Sequence, residues 1–356
     1  MMVYANSTYF GFHAGVILAL LLTSLLRAAE PIVWKQFAPL PDKLGVAAPF
    51  AGVSGSALLV AGGANFPDKM PWTGGKKVWH DRVWLLDKPE GTWRHVGYLS
   101  RPLAYGVSIT TSDGVICVGG SDSARHYLNV FRLSWKQGVL AIEPLPSLPI
   151  ALANAAGALV GQTLFVACGA EQPGEQAALN RTFALDLKSD SAAWREIKAL
   201  PGKARILPAA AAHEGAFYIF GGVALEPNAT GKVQRVYLRD TWRYQEDSGW
   251  MRLAALPKPI AAAPSPAPIL NGEALLLAGD DGSLASFQPI EKHPGWPRTI
   301  LAYDFAHDRW REAGEVPAPR ATTPCIEWNN LFVVPSGEVR PGVRSPEVWA
   351  IPSRAP

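Results

Sequence analysis

Six times after residue 30, the chain runs an apolar strand into a Gly-Gly pair or a worn copy of one. The strand ends are ALLVAGG (57–63), VICVGG (115–120), LFVACG (164–169), FYIFGG (217–222), LLLAGD (275–280) and LFVVPSG (331–337). Gly62 to Gly119 spans 57 residues, Gly221 to Gly279 spans 58 and Gly279 to Ser336 spans 57. The 102 residues from Gly119 to Gly221 hold two units, because the Cys168–Gly169 copy lies between them. Short strands recurring at a period near 50 mark a radial array: each unit is a small sheet that hides its apolar faces only against its neighbours.

The rest of each unit agrees. Third strands read DRVWLLD (81–87), LNVFRL (128–133), RTFALDL (181–187), DTWRYQ (240–245), ILAYDF (300–305) and EVWAIP (347–352). Fourth strands open on tryptophan: TWRHVGYLSRP (92–102), AWREIKALP (193–201), GWMRLAALP (249–257) and RWREAGEVP (309–317), while the second unit has LAIEPLP (140–146) instead. The last unit ends at EVWAIP without a tryptophan strand, and VWKQFAPLP (33–41) is a tryptophan strand without a unit. Joining them removes both sheet edges. The fold expected over residues 30–356 is all-β: a six-bladed, kelch-type β-propeller closed by pairing the N-terminal strand with the C-terminal blade. A five-bladed ring with a frayed end is the alternative. Composition supports short strands and turns over helices, with 33 Gly, 31 Pro and 13 Trp against 18% charged residues. The glycine pairs are expected where blades converge on the axis and positive φ is needed.

Residues 1–29 are expected to be a signal peptide. The apolar run 14–26 is short for a membrane span, and Ala28 and Ala29 offer a small-residue cleavage region. No Lys or Arg leads the run, and an uncleaved anchor is the alternative. Export implies a periplasmic or secreted protein with no stable membrane span once the segment is removed. Cys117, Cys168 and Cys325 are odd in number, and the first two sit in apolar strands, so they read as buried small hydrophobes rather than a disulfide. A net charge of +3, with scattered Lys and Arg, gives no clustered face for nucleic acid.

Function in a propeller lies in the loops at one mouth of its channel. Three polar segments stand out: 62–81 (GGANFPDKMPWTGGKKVWHD), 101–108 (RPLAYGVS) and 336–349 (SGEVRPGVRSPEVW). The first and last blades adjoin in a closed ring, so all three can face one pocket. Within the last segment, Glu338 precedes Arg340 and Arg344. A solvated surface ion pair is the bland reading. The catalytic reading is a carboxylate that moves protons beside arginines that clamp an anionic substrate.

The segment SGEVRPGVRSPEVW resembles the glutamate-to-arginine loop of the bacterial sialic acid mutarotases, the N-acetylneuraminate epimerases. Glu338 and Arg344 show that loop's spacing of six, and GGANF with its Gly-Lys-rich continuation, AYGVS and VGG resemble another block of the family. The family's usual order places the glutamate loop first. Here it comes last, so the chain looks like a cyclically permuted member, which a closed ring tolerates. Ser336 stands where the family has Asn before Gly-Glu, and Leu103 stands where an Arg often precedes Ala-Tyr-Gly.

The resemblance implies a sugar isomerase that interconverts the α and β anomers of N-acetylneuraminate by acid–base ring opening. It implies Glu338 as general base, Arg344 holding the substrate carboxylate, no cofactor and no metal. Further candidates for contact with the acidic sugar are Arg340, Asn65, Lys76, His80, Arg101, Tyr105 and Arg320. Lys77 and Asp81 lie on the same loop as His80, which also reads as a histidine satisfied locally. Asp280 and Asp281 are read as replacing the fifth Gly-Gly pair, touching a sugar or stabilising a turn. Two other functions remain open on the sequence. One is a non-catalytic carbohydrate- or protein-binding propeller. The other is a copper oxidase like the galactose oxidases, for which the core cysteines and unpaired histidines are a poor match.

Overall fold

A computed structural model describes residues 1–4, 32–174, 176–189 and 191–354. The expected signal segment falls almost wholly outside the described residues. Among the described residues no helix is long and apolar enough to cross a membrane. Residues from Ile32 onward form one compact unit.

That unit is a ring of six four-stranded antiparallel sheets. Blade 1 uses Phe50–Ser54, Ala57–Ala61, Arg82–Leu86 and Arg94–Tyr98. Blade 2 uses Val107–Thr111, Gly114–Val118, Val130–Lys136 and Val139–Leu145. Blade 3 uses Ala156–Val160, Thr163–Ala167, Thr182–Asp186 and Arg195–Ile197. Blade 4 uses Ala209–His213, Ala216–Phe220, Thr241–Gln245 and Gly249–Leu253. Blade 5 uses Ile269–Leu270, Glu273–Leu277, Thr299–Asp304 and Arg309–Glu315. Blade 6 uses Ile326–Trp328, Leu331–Pro335 and Val348–Pro352 from the end of the chain and Lys35–Phe37 from its start. Lys35, Gln36 and Phe37 pair with Ala350, Trp349 and Val348. The ring is therefore six-bladed and closed as expected.

Side-chain alternation explains why the inner strands are apolar throughout. In blade 5, Ala274 and Leu276 pack toward blade 4, while Leu275 and Leu277 pack toward blade 6. Each blade is buried on both faces, so six apolar clusters fill the six gaps between neighbours. All three cysteines are free and buried in these gaps. The outer tryptophans tie blade to blade. The indole N–H of Trp93 donates to Ala38, Trp194 to Pro146, Trp250 to Lys198 and Trp310 to Ala254, at 2.7–2.9 Å.

The glycine pairs are less uniform than expected. The second member is glycine in all six blades, with φ of 92–119°, whereas the first is Cys168, Ala278 and Ser336 in blades 3, 5 and 6. The fifth pair is thus Ala278–Gly279, and the reading that Asp280 and Asp281 replace it slips by two residues. The residue after each pair bridges to the strand entering its blade, as Ala64 to Ala47, Ser121 to Ala104, Ala170 to Ala153, Val223 to Ile206, Asp280 to Ala261 and Glu338 to Ala321.

The next six residues close a circle. Ala48, Tyr105, Asn154, Leu207, Ala262 and Thr322 all take left-handed backbone, with φ of 50–65°. Each N–H donates to the carbonyl of its counterpart in the preceding blade, and Ala48 closes the ring onto Thr322 at 2.6 Å. These six residues line the narrow neck of the channel.

Candidate functional site

Above this neck lies a cavity of about 580 Å³ lined by all six blades. Extra hairpins raise its wall: Ala64–Asn65 with Val78–Trp79 on blade 1, Val223–Pro227 with Val233–Tyr237 on blade 4, and Glu338–Arg340 with Val343–Arg344 on blade 6.

Glu338 and Arg344 are cross-strand partners in the last hairpin, and an Arg344 Nη lies 3.2 Å from a Glu338 carboxylate oxygen. The tight turn makes this possible, because the Gly342 amide also donates to Glu338 at 3.0 Å. The Thr322 hydroxyl approaches the other carboxylate oxygen at 3.3 Å. The Arg344 side chain is 3% exposed and Glu338 is 18% exposed, so the acid keeps an open edge toward the cavity. The Arg344 guanidinium lies over the Phe66 ring, 4.8 Å from its centroid, and its Nε and second Nη have no hydrogen-bond partner. Buried donors left without acceptors are costly, so the arginine holds unspent capacity to bind an anion.

Alternation decides which lysine of the first loop faces inward. Lys77 and Trp79 line the cavity, while Lys76 is exposed and absent from the lining. Tyr105 also lines it, from the neck. Asn65 and His80 sit behind the wall. Asn65 donates to the Gly45 carbonyl at 2.9 Å, and its own carbonyl lies 2.8 Å from His80 Nε2. Burial lowers the His80 pKa against the pull of Asp42, so the neutral ring donates to Asn65. Arg340 turns outward over Trp72, with its guanidinium on the carbonyls of Glu291 and His293. Arg101 lies over Tyr127 outside this cavity. Arg320 is a strut beneath the loop, bound to Glu347 and the Ser345 hydroxyl. Its equivalent in blade 4 is the fully buried Arg205, which holds Asp240 through two bonds of 2.7 Å.

The cavity gains Asp122, His126, Tyr237, His293 and Trp296, which the sequence analysis did not select, and Asp280, which it read as touching a sugar or stabilising a turn. Asp122 of blade 2 accepts the Tyr127 hydroxyl. His126 approaches the Ala170 carbonyl through Nδ1 at 3.0 Å, and burial lowers its pKa. Tyr237 of blade 4 donates to Asp280 at 2.5 Å, and burial together with that carboxylate pushes its phenol pKa well up. Asp280 also accepts from the Gly282 amide, whereas Asp281 accepts only within its own turn, from Ser283. His293 accepts the Gly295 amide at 3.1 Å through Nδ1, which leaves Nε2 as the donor. Trp296 donates to the Glu338 carbonyl at 2.9 Å and braces the hairpin from blade 5. The bridge pattern carried a signal for Asp280: it occupies in blade 5 the place that Glu338 occupies in blade 6.

Such a cavity suits a small polyhydroxylated anion. It offers carboxylates, neutral imidazoles and phenols for hydroxyl groups, cations for an acid group and aromatic faces for a sugar ring.

A family model described as N-acetylneuraminate epimerase matches residues 23–142 and 145–287. The N-acetylneuraminate epimerase of Haemophilus influenzae (strain PittEE) is 31% identical over 226 residues, covering 57% of this chain and 57% of that one. The N-acetylneuraminate epimerase of Yersinia enterocolitica (serotype O:8 / biotype 1B, strain NCTC 13174 / 8081) is 28% identical over 234 residues, 58% of this chain and 57% of the relative. This chain thus spans 57% of the length of these curated relatives. The solved structure of YjhT overlays with a TM-score of 0.64 at 14% identity, covering 89% of this chain and 95% of that one, which shows a shared fold. The matched residues stop at 287, so the Glu338–Arg344 hairpin lies beyond them.

Proposed function

The chain belongs to the N-acetylneuraminate epimerase family, and from that membership we propose that it interconverts the α and β anomers of N-acetylneuraminate. Glu338 takes the proton of the anomeric hydroxyl. As the anomeric C–O⁻ becomes a carbonyl, the bond from the anomeric carbon to the ring oxygen breaks, and that oxygen gains a proton. The open keto form turns about the bond to its neighbouring carbon. The hydroxyl then adds to the other face of the carbonyl, and the proton transfers run in reverse. Protons and electrons balance with no redox partner. Arg344 orients the substrate carboxylate, which is attached to the reacting carbon, and holds Glu338 aimed at the cavity.

The observation that carries this reading is the 3.2 Å Glu338–Arg344 pair on the cavity wall, with the acid open and two arginine nitrogens unpartnered. General acid–base catalysis contributes about 10²–10⁴-fold. Export, which the N-terminal apolar run supports, would bring the enzyme to sialic acid released outside the cytoplasm. Proton NMR of freshly released α-sialic acid tests the proposal. Faster appearance of the β anomer, lost in Glu338→Gln, is the expected result. No acceleration by the wild-type protein would return the chain to the binding-propeller alternative.

A further inference from the structure

The Glu338–Arg344 pair leaves a charge problem. The substrate brings a carboxylate one bond from the reacting carbon, so catalysis by Glu338 places two negative charges side by side. Arg344 can neutralise one of them, and it already faces Glu338. The unpartnered nitrogens of Arg344 can still meet the substrate carboxylate, but its single positive charge is then shared between two anions.

Lys77 supplies the missing positive charge. Its ammonium lies 4.9 Å from the Tyr105 ring centroid, 5.6 Å from Trp79 and 6.0 Å from Phe66. Phe66 is the ring that also carries the Arg344 guanidinium, so one aromatic group separates the two cations on a common wall. Among the described residues no carboxylate lies within ion-pair distance of Lys77. The other acids of the lining are committed elsewhere, Asp122 to Tyr127 and Asp280 to Tyr237. The ammonium sits among three aromatic rings, which restricts its position and lowers the entropy lost when it binds an anion. Among the described residues no hydrogen-bond acceptor is paired with the Lys77 ammonium, so of its three donors those turned from the rings can meet an oxygen anion.

We propose that Lys77 is the residue that makes this cavity select an acidic sugar: it is the uncompensated cation that receives the substrate carboxylate, while Arg344 serves Glu338 and the orientation of the same group. This inference rests on the mutarotase reading and deepens it.

The test compares N-acetylneuraminate with its methyl ester, which is neutral at the same carbon. For the wild-type enzyme the ester should show a KM raised about tenfold, the effect of one charge contact. Lys77→Met, whose apolar side chain suits the aromatic cage, should raise KM for the acid to that of the ester, with a much smaller change in kcat. Lys77→Arg should restore the preference for the acid. A Lys77→Met enzyme that still discriminates acid from ester as the wild type does would overturn the inference while leaving the mutarotase reading intact. Calorimetric titration with N-acetylneuraminate separates the other failure. Binding that depends on Lys77 without any acceleration of mutarotation would support the anion site and sink the enzymatic reading. Equal binding by wild type and Lys77→Met would overturn the site.

Discussion

Glu338 and Arg344 face each other across the two strands of one hairpin, and that register turns a spacing of six residues into a 3.2 Å ion pair. Gly342 donates to the carboxylate from the turn between them, and Trp296 of the neighbouring blade braces the Glu338 carbonyl. Glu338 is thus held by its own turn and by the adjacent blade. A loop carrying the same residues without the ring would not hold them in this relation.

Glu338→Gln should reduce mutarotation by about 10²–10⁴-fold. The amide oxygen can still accept from Gly342, so the melting temperature should move little. Anomer exchange by NMR and a thermal melt measured on one preparation check both halves of the expectation.

Arg344→Lys keeps the charge but loses the planar fork that meets Glu338 and lies over Phe66. We expect kcat/KM to fall at least about tenfold, because a lysine there cannot serve a carboxylate on two sides. Wild-type kinetics from this variant would remove Arg344 from the proposed mechanism.

Arg205→Met tests the strut. Arg205 is fully buried and grips Asp240, so its loss should destabilise the fold by about 3–5 kcal/mol without touching the cavity. Burial alone would raise the Asp240 pKa, but the Arg205 hydrogen bonds and charge lower it below its ordinary value. A depressed carboxylate contributes stability that is complete above its unfolded pKa, about 3.9, and is lost as pH falls through the folded value. Wild-type stability should therefore decline below about pH 4, whereas the variant, whose Asp240 has lost the Arg205 charge and is raised by burial, should lack that loss and recover stability as falling pH protonates the carboxyl. Denaturant midpoints across pH 3–7 report the difference.

Gly279→Ala should be poorly tolerated. Its φ is 119°, and a Cβ there would come 2.7 Å from the Ala261 carbonyl oxygen. Ala278→Gly, one residue earlier, should be mild, since that position already carries side chains in three blades. A Gly279→Ala melt within a degree of wild type would contradict this account of the repeat.

A chain beginning at Pro39 lacks Lys35–Phe37 and the Ala38 carbonyl that takes the Trp93 indole. The strand Val348–Pro352 would become an open edge. We expect a much lower melting temperature and concentration-dependent aggregation, read by light scattering.

The sequence by itself determined the number of blades, their strand order, the closing strand and the Glu338–Arg344 spacing. Those features are local or periodic: a buried two-faced strand is apolar throughout, positive φ favours glycine, and a short hairpin brings nearby residues opposite one another. Tertiary structure decided the rest. Lys77 faces the cavity and Lys76 does not because hairpin pairing sets the phase of alternation. Arg320 became a strut because Glu347 lies beneath it, and Arg340 was drawn away by the carbonyls of Glu291 and His293. Asp122, His126, Tyr237, Asp280 and His293 come from three units, and nothing in their spacing marks them as a set. They meet because ring closure points the same loop of every blade at one axis, a consequence of the whole circle rather than of any segment in it.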